Sequence, residues 1–179
     1  MNKKVLILAG SPRIGGNSDL LCDEFERGAL SSNNQVEKIN VATKNIRPCS
    51  ACYFCANNNG KCLHDDDMKE ILDNIIEADV LVLASPVYFY SISAQLKAVI
   101  DRTVARWTEI KNKEVYYIVT MADDDLTSAN TTIACLKGFT DCIEGAIEKG
   151  TIIGGGAYNP RDVLNTDVMS KAYMMGKNI

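Results

Sequence analysis

Cys49, Cys52, Cys55 and Cys62 are four of the chain's seven cysteines, spaced C-x2-C-x2-C-x6-C. Thiolates are metal ligands and redox nucleophiles, and such crowding on one loop exceeds what packing asks for. Three chemistries fit the spacing. A [4Fe–4S] cluster favours a compact run of this kind, although the usual ferredoxin run has a shorter last gap and a proline after its final cysteine, where this chain has Leu63. Zinc more often takes two C-x2-C pairs far apart in sequence. Free thiols that form reversible disulfides are the third option. Cys22, Cys135 and Cys142 fall on apolar faces of expected helices and are expected in the core.

A second candidate lies at residues 10–18, Gly-Ser-Pro-Arg-Ile-Gly-Gly-Asn-Ser. It matches neither the G-x-G-x-x-G dinucleotide fingerprint nor a P-loop. It offers the hydroxyls of Ser11 and Ser18, the amide of Asn17, the charge of Arg13, and a backbone freed to turn at Gly15 and Gly16. A helix expected to begin near Asn17, with Asn17 or Ser18 as its N-cap, adds its positive end. Together these make a site for one phosphate group. A third candidate is the segment 85–91, Ser-Pro-Val-Tyr-Phe-Tyr-Ser, where Tyr88 and Phe89 stand at the expected carboxyl end of a strand and suit a flat heteroaromatic ligand.

The elements that must carry these loops alternate. Apolar runs at 4–9, 79–84 and 114–120 are expected strands buried on both faces; 35–41 alternates as an edge strand should, and 151–156 is a short strand. Helices are expected over 17–30, from about 65–68 to 77, and over 91–106. Ile133, Leu136, Phe139, Ile143 and Ile147 repeat at near-heptad spacing and predict one long helix over 128–149; another spans 167–177. Strand–helix alternation gives an α/β fold, a doubly wound parallel sheet of five strands with helices on both faces, in one domain over residues 1–179. Ligands in such sheets bind beyond the carboxyl ends of the strands, where the second and third candidates lie.

The pair Gly10-Ser-Pro-Arg…Gly-Asn-Ser18 and Ser85-Pro-Val-Tyr…Leu-Lys-x-x-Ile-Asp-Arg102 resembles the NADPH-dependent FMN reductase family. That resemblance implies a flavodoxin-like sheet in the order 2-1-3-4-5, a bound FMN, NAD(P)H as a transient electron donor, and a homodimer or higher homo-oligomer. Ser11, Arg13, Gly16, Asn17 and Ser18 would surround the FMN phosphate; Pro86, Val87, Tyr88 and Phe89 would line its ring. The four-cysteine loop, followed by Asp66, Asp67 and Met68, is similar to that of iron–sulfur flavoproteins, which implies Cys49, Cys52, Cys55 and Cys62 as ligands of one [4Fe–4S] cluster. The chain departs from the family at Met121-Ala-Asp-Asp-Asp-Leu126, where many members have small residues. Carboxylates there would repel a phosphorylated nicotinamide unless they face solvent, with Asp125 or Thr127 capping the next helix, which is the favoured reading.

The resulting expectation is an FMN-dependent oxidoreductase that reduces a quinone, a flavin or another small acceptor. An iron–sulfur electron carrier served by a redox protein partner and a cysteine-based redox sensor are the alternatives. A net charge of −4 with scattered basic residues argues against a nucleic-acid platform. The opening run at 5–9 is too short for a signal-peptide core or a membrane span, so no membrane and a cytoplasmic setting are expected.

Overall fold

The computed structural model describes residues 2–179. Five strands, β1 (Lys4–Ala9), β2 (Gln35–Asn40), β3 (Val80–Pro86), β4 (Glu114–Thr120) and β5 (Ile147–Gly154), form one parallel sheet in the order β2-β1-β3-β4-β5. The three apolar runs are the three inner strands, because only they have a neighbour on each side and a helix layer on each face. Alternate side chains feed two cores. Leu6, Leu8, Leu81 and Leu83 pack with α2 (Met68–Glu77), α3 (Ala94–Arg102) and α4 (Asn130–Thr140). Val5, Ile7, Val80 and Val82 pack with α1 (Asn17–Ser31) and α5 (Val168–Lys177).

The long helix expected over 128–149 is two elements. α4 stops at Thr140, and Ile147 pairs with Glu114 as the first residue of β5. Ile143 is buried but Ile147 is exposed, so the heptad spacing runs on by coincidence from the buried face of a helix, through a turn, into a strand residue that faces solvent. The ladder to β4 satisfies backbone groups that a longer helix would have left beside an unpaired strand edge. The helix expected over 91–106 is also shorter. Ser91 exchanges both backbone hydrogen bonds with Tyr88, so α3 begins after Ser93, whose hydroxyl accepts the Leu96 N–H at 3.3 Å. A 3-10 turn, Thr103–Ala105, follows its end. The N-cap of α1 is Gly16, with Asn17 as the first helical residue.

Cys22 is buried as expected, and burial pushes its thiol pKa up. Cys135 and Cys142 are exposed, contrary to the core placement expected of them. α4 ends before Cys142, and both thiols border an open groove shared with Trp107 and Phe139. No helix among the described residues is long and apolar enough to cross a membrane.

Candidate functional site

The loops after β1, β3, β4 and β5 meet at the carboxyl edge of the sheet and are stitched together by buried polar bonds. Gly10 N–H donates to Ala84 O at 2.8 Å, and the Ser93 hydroxyl donates to Gly10 O at 2.7 Å. A Cβ on Gly10 would come within 2.8 Å of both Ala84 O and Leu96 Cβ, so only glycine brings the two loops this close. Ser85, fully buried, accepts the Ser93 N–H at 2.9 Å and donates to Pro86 O at 2.8 Å. Val87 N–H reaches Thr120 O, and Met121 N–H reaches Gly154 O. Sequence reading missed Ser85, Ser93 and Gly10 as positioning groups. Their signal was the pair of serines flanking the aromatic segment, which resembled ordinary helix capping.

In the first loop, Ser11 and Ser18 are buried and Arg13 is exposed. The Ser11 hydroxyl accepts the Arg13 N–H at 3.1 Å and so folds the loop back on itself. Gly16 hands the chain to α1 with no side-chain cap, so the first-turn N–H groups have no intrahelical partner and could hold an anion. The Asn17 side chain is committed elsewhere: its amide donates to Ala157 O and Asn159 O at 3.1 and 2.8 Å and its oxygen accepts the Val163 N–H at 3.4 Å. It therefore anchors the loop after β5 and leaves only its backbone to the anion site. Beneath the loop, buried Asp19 accepts the Gly15 N–H at 2.7 Å and is neutralised by Lys38 at 3.0 Å. An uncompensated carboxylate there would oppose a phosphate.

Pro86 and Val87 are half-buried, while Tyr88 and Phe89 are exposed. Tyr88 and Ser91 close a two-residue hairpin whose central residues, Phe89 and Tyr90, have φ of 47° and 60°. Those signs are the ones a type I′ turn takes, where Asn-Gly is favoured. Two aromatic residues in the left-handed region store strain of the kind that collects at ligand sites, and Phe89 projects wholly into solvent. The Asp123–Asp125 run is exposed as favoured. Asp125 accepts the Thr127 N–H at 3.0 Å as a cap, and Asp123 accepts from the Ser128 hydroxyl at 2.6 Å, which together with the Asp125 N–H holds its pKa low.

Cys49 and Cys52 are exposed, and Cys55 and Cys62 are half-buried. Ala51 and Tyr53 have φ of 52° and 57°. Tyr53 is followed by Phe54 in the right-handed helical region, a left-right succession that turns consecutive N–H groups toward an anion, as at phosphate and iron–sulfur sites. The Phe54 N–H, then the Ser50 hydroxyl, hold the Cys52 thiol below its usual pKa. Thiolate ligands with nearby N–H donors fit an anionic cluster. Among the described residues no three cysteine, histidine or carboxylate side chains are gathered as metal ligands.

The loop's neck is closed by Asp66, which accepts the Arg47 N–H at 3.0 Å and both Nη groups of Arg102 at 2.8 and 2.9 Å. The side chains of Arg102 and Asp66 are 3% and 1% exposed. Burial opposes ionisation of Asp66, but the Arg102 bonds and the Arg47 and Met68 N–H groups outweigh it and hold its pKa below the usual range. A depressed carboxylate pKa contributes stability that is complete above the unfolded value, about 3.9, and that is lost as pH falls through the folded one. Asp66→Asn is expected to cost about 3 kcal/mol at pH 7, with the gap to wild type closing below about pH 4. Urea midpoints at pH 7, 5 and 3 check this, and a gap that stays constant across them refutes it.

Residues 3–133 match the NADPH-dependent FMN reductase family, a span that contains both the anion loop and the aromatic turn. The chain belongs to this family. An iron–sulfur flavoprotein of Methanocaldococcus jannaschii is 43% identical over 100 residues, which are 56% of this chain and 51% of that protein. The chain thus spans about half the length of the curated relatives it matches. Among solved structures, an NAD(P)H:quinone oxidoreductase from Methanothermobacter marburgensis superimposes with a TM-score of 0.77 at 19% identity, covering 99% of this chain and 97% of that one. An FMN-dependent NADH-azoreductase from Bacillus anthracis, in complex with FMN, gives 0.70 at 19% identity over 98% and 96%. These two likenesses establish the flavodoxin-like fold expected for the family.

Proposed function

We propose that this FMN reductase family member is an FMN-dependent oxidoreductase that takes electrons from NAD(P)H and delivers them to a quinone, free flavin or another small acceptor. The observation that carries the reading is the strained aromatic turn flanked by buried serines, one of which bonds Gly10 at the start of the loop that leads into α1. Ser11, Arg13, Gly16, Ser18 and the backbone of Asn17 would hold the phosphate of FMN. Pro86, Val87, Tyr88 and Phe89 would line and orient its ring. Bound FMN would itself supply the electron chemistry, so no protein nucleophile, acid or base is assigned. Asp123 and Asp125 accept hydrogen bonds within their own loop and face solvent, which would screen their charge from a phosphorylated donor. A cytoplasmic homo-oligomer belongs to this reading; the groove lined by Val104, Trp107, Cys135 and Phe139 is apolar surface for a second copy to cover.

The four-cysteine loop favours a second reading on the same fold, an iron–sulfur flavoprotein passing single electrons to a protein partner. Cys49, Cys52, Cys55 and Cys62 would hold the [4Fe–4S] cluster, and the compact spacing together with the name of the Methanocaldococcus relative supports it. One experiment separates the two readings. The protein is purified anaerobically, its absorption spectrum recorded, and NADH or NADPH added. Flavin absorbance that bleaches within seconds supports the reductase. A stable flavin spectrum with a broad visible shoulder removed by iron chelation supports the carrier. A colourless protein that fails to bind added FMN refutes both.

A further inference from the structure

A chain of three groups runs beneath the anion loop. Gly15, whose φ of 68° suits glycine, turns its N–H inward to Asp19 Oδ2 at 2.7 Å. Asp19 Oδ1 accepts from Lys38 Nζ at 3.0 Å, and Lys38 also donates to Asp23. The Asp19 side chain is 4% exposed and that of Lys38 20%. Lys38 comes from β2, where it pairs with Ile7 and, by strand alternation, shares with Val36 the face that packs on α1. Burial works against its charge, but the bonds to Asp23 and Asp19 outweigh burial and raise its pKa, so the ammonium is charged at neutral pH.

The loop's own amides are already spent. Besides Gly15, the Arg13 N–H goes to Ser11 Oγ and the Gly16 N–H to Arg13 O, both at 3.1 Å. The first intrahelical bond runs from Leu20 N–H to Gly16 O at 2.9 Å, so the N–H groups of Asn17, Ser18 and Asp19 are the ones left for an anion. Asp19 thus carries one donor of that set and, on the same residue, a buried carboxylate. An acid in the first turn normally complements the positive end of a helix. Here it would compete for that end with a bound anion, and without a partner it would also be costly to bury.

We propose that Lys38 is a positioning residue for phosphate recognition: by neutralising Asp19 it lets a buried carboxylate shape the loop without repelling the anion, and so sets the preference for a phosphorylated over an unphosphorylated flavin. This role rests on the reading of the loop as the FMN phosphate site. Lys38 acts through Asp19 and need not touch the phosphate. Direct contact is left to Arg13, which is exposed. Asp23, with a side chain 49% exposed, steadies the ammonium from the solvent side.

Flavin-free protein is titrated with FMN and with riboflavin, which differ only by the phosphate, and the ratio of the two affinities is compared between variants. Wild type should prefer FMN by roughly tenfold or more. Lys38→Met should cut that preference by about tenfold and leave riboflavin affinity within about twofold of wild type. Adding Asp19→Asn to Lys38→Met should return most of the preference, because the charge that needed a partner is gone while an amide oxygen still accepts from Gly15. A Lys38→Met protein with the wild-type preference overturns the role. So does one that loses affinity for both flavins equally, which marks Lys38 as structural, and so does a double variant no better than Lys38→Met. Should Lys38→Met fail to fold, Asp19→Asn alone decides: with the Lys38 charge less balanced the preference should rise, and an unchanged or lower one overturns the role. Wild type that binds both flavins equally ends the phosphate reading and the role of Lys38 with it, whereas a wild-type preference that survives every substitution ends only the role of Lys38.

Discussion

Gly28→Ala is expected to destabilise the fold by about 3 kcal/mol, because packed cores rarely absorb an added methyl at a backbone crossing. For a domain of this size that corresponds to a melting temperature roughly 6–12 °C lower. The glycine lies in α1 where it crosses α5, and a Cβ there would fall on the Tyr173 carbonyl oxygen and within 2.9 Å of Lys177 N. Gly176 is its counterpart: a Cβ on it would fall on the Phe25 carbonyl oxygen. Neither neighbour is a flexible side-chain tip, so the helices must separate. The helix-propensity gain of alanine over glycine, about 1 kcal/mol, works the other way and is smaller. Gly176→Ala should cost a similar amount, and the double variant less than the sum, since one separation serves both methyls. Gly138→Ala is the control. It is an exposed α4 position with nothing within 4 Å of the added Cβ, and it should leave stability unchanged or raise it by up to about 1 kcal/mol. A Gly28→Ala protein that melts at or above the wild-type temperature would show that the crossing is not this tight.

The same pair of glycines marks how far the sequence could be read. Buried strands announce themselves by composition, so Lys4–Ala9 and Glu114–Thr120 were legible to the residue. Helix ends and tertiary approaches are settled by partners that no local pattern names. Ser91 could cap a helix as well as Ser93 does; the hairpin with Tyr88 claims its backbone and decides between them. Ile143 and Ile147 kept helical spacing across a turn although the first is buried and the second, opening β5, is exposed; spacing alone does not register that difference. Asn17 has the chemistry of a phosphate ligand, but its amide is drawn to the loop after β5, 140 residues away in sequence. Cys135 and Cys142 are small apolar residues on a helical pattern, and nothing in that pattern says that α4 leaves Cys135 on its open face and ends before Cys142. The site's clamp, Gly10 with Ser85 and Ser93, was in view as letters. Its role depends on two loops meeting across adjacent strands.

Replacing Phe89 and Tyr90 together by Asn and Gly should raise stability and abolish most FMN affinity, two effects of opposite sign from one change. The left-handed conformation costs an ordinary residue about 1–2 kcal/mol, and both positions adopt it. Asn-Gly is the pair that favours such a turn, so the variant should gain roughly 1–3 kcal/mol in urea unfolding. Packing loses little, because the Phe89 side chain is fully solvent-exposed and Tyr90 is mostly so. Burial therefore does not account for an aromatic residue at position 89. A flat ligand would, since stacking a heteroaromatic ring on an aromatic side chain contributes about 1–3 kcal/mol, equivalent to roughly a 10- to 100-fold loss of affinity once the ring is removed. Tyr90→Gly alone divides the two effects: it should recover part of the stability while Phe89 keeps its contact and FMN binding falls less. Fluorescence titration with FMN, paired with urea unfolding of the FMN-free protein, reads both. If the double variant is stabilised and still binds FMN as wild type does, the turn is strained for some other purpose and the ring lies elsewhere along the carboxyl edge. If it is destabilised, the aromatic pair is structural and the strain argument fails at its first step.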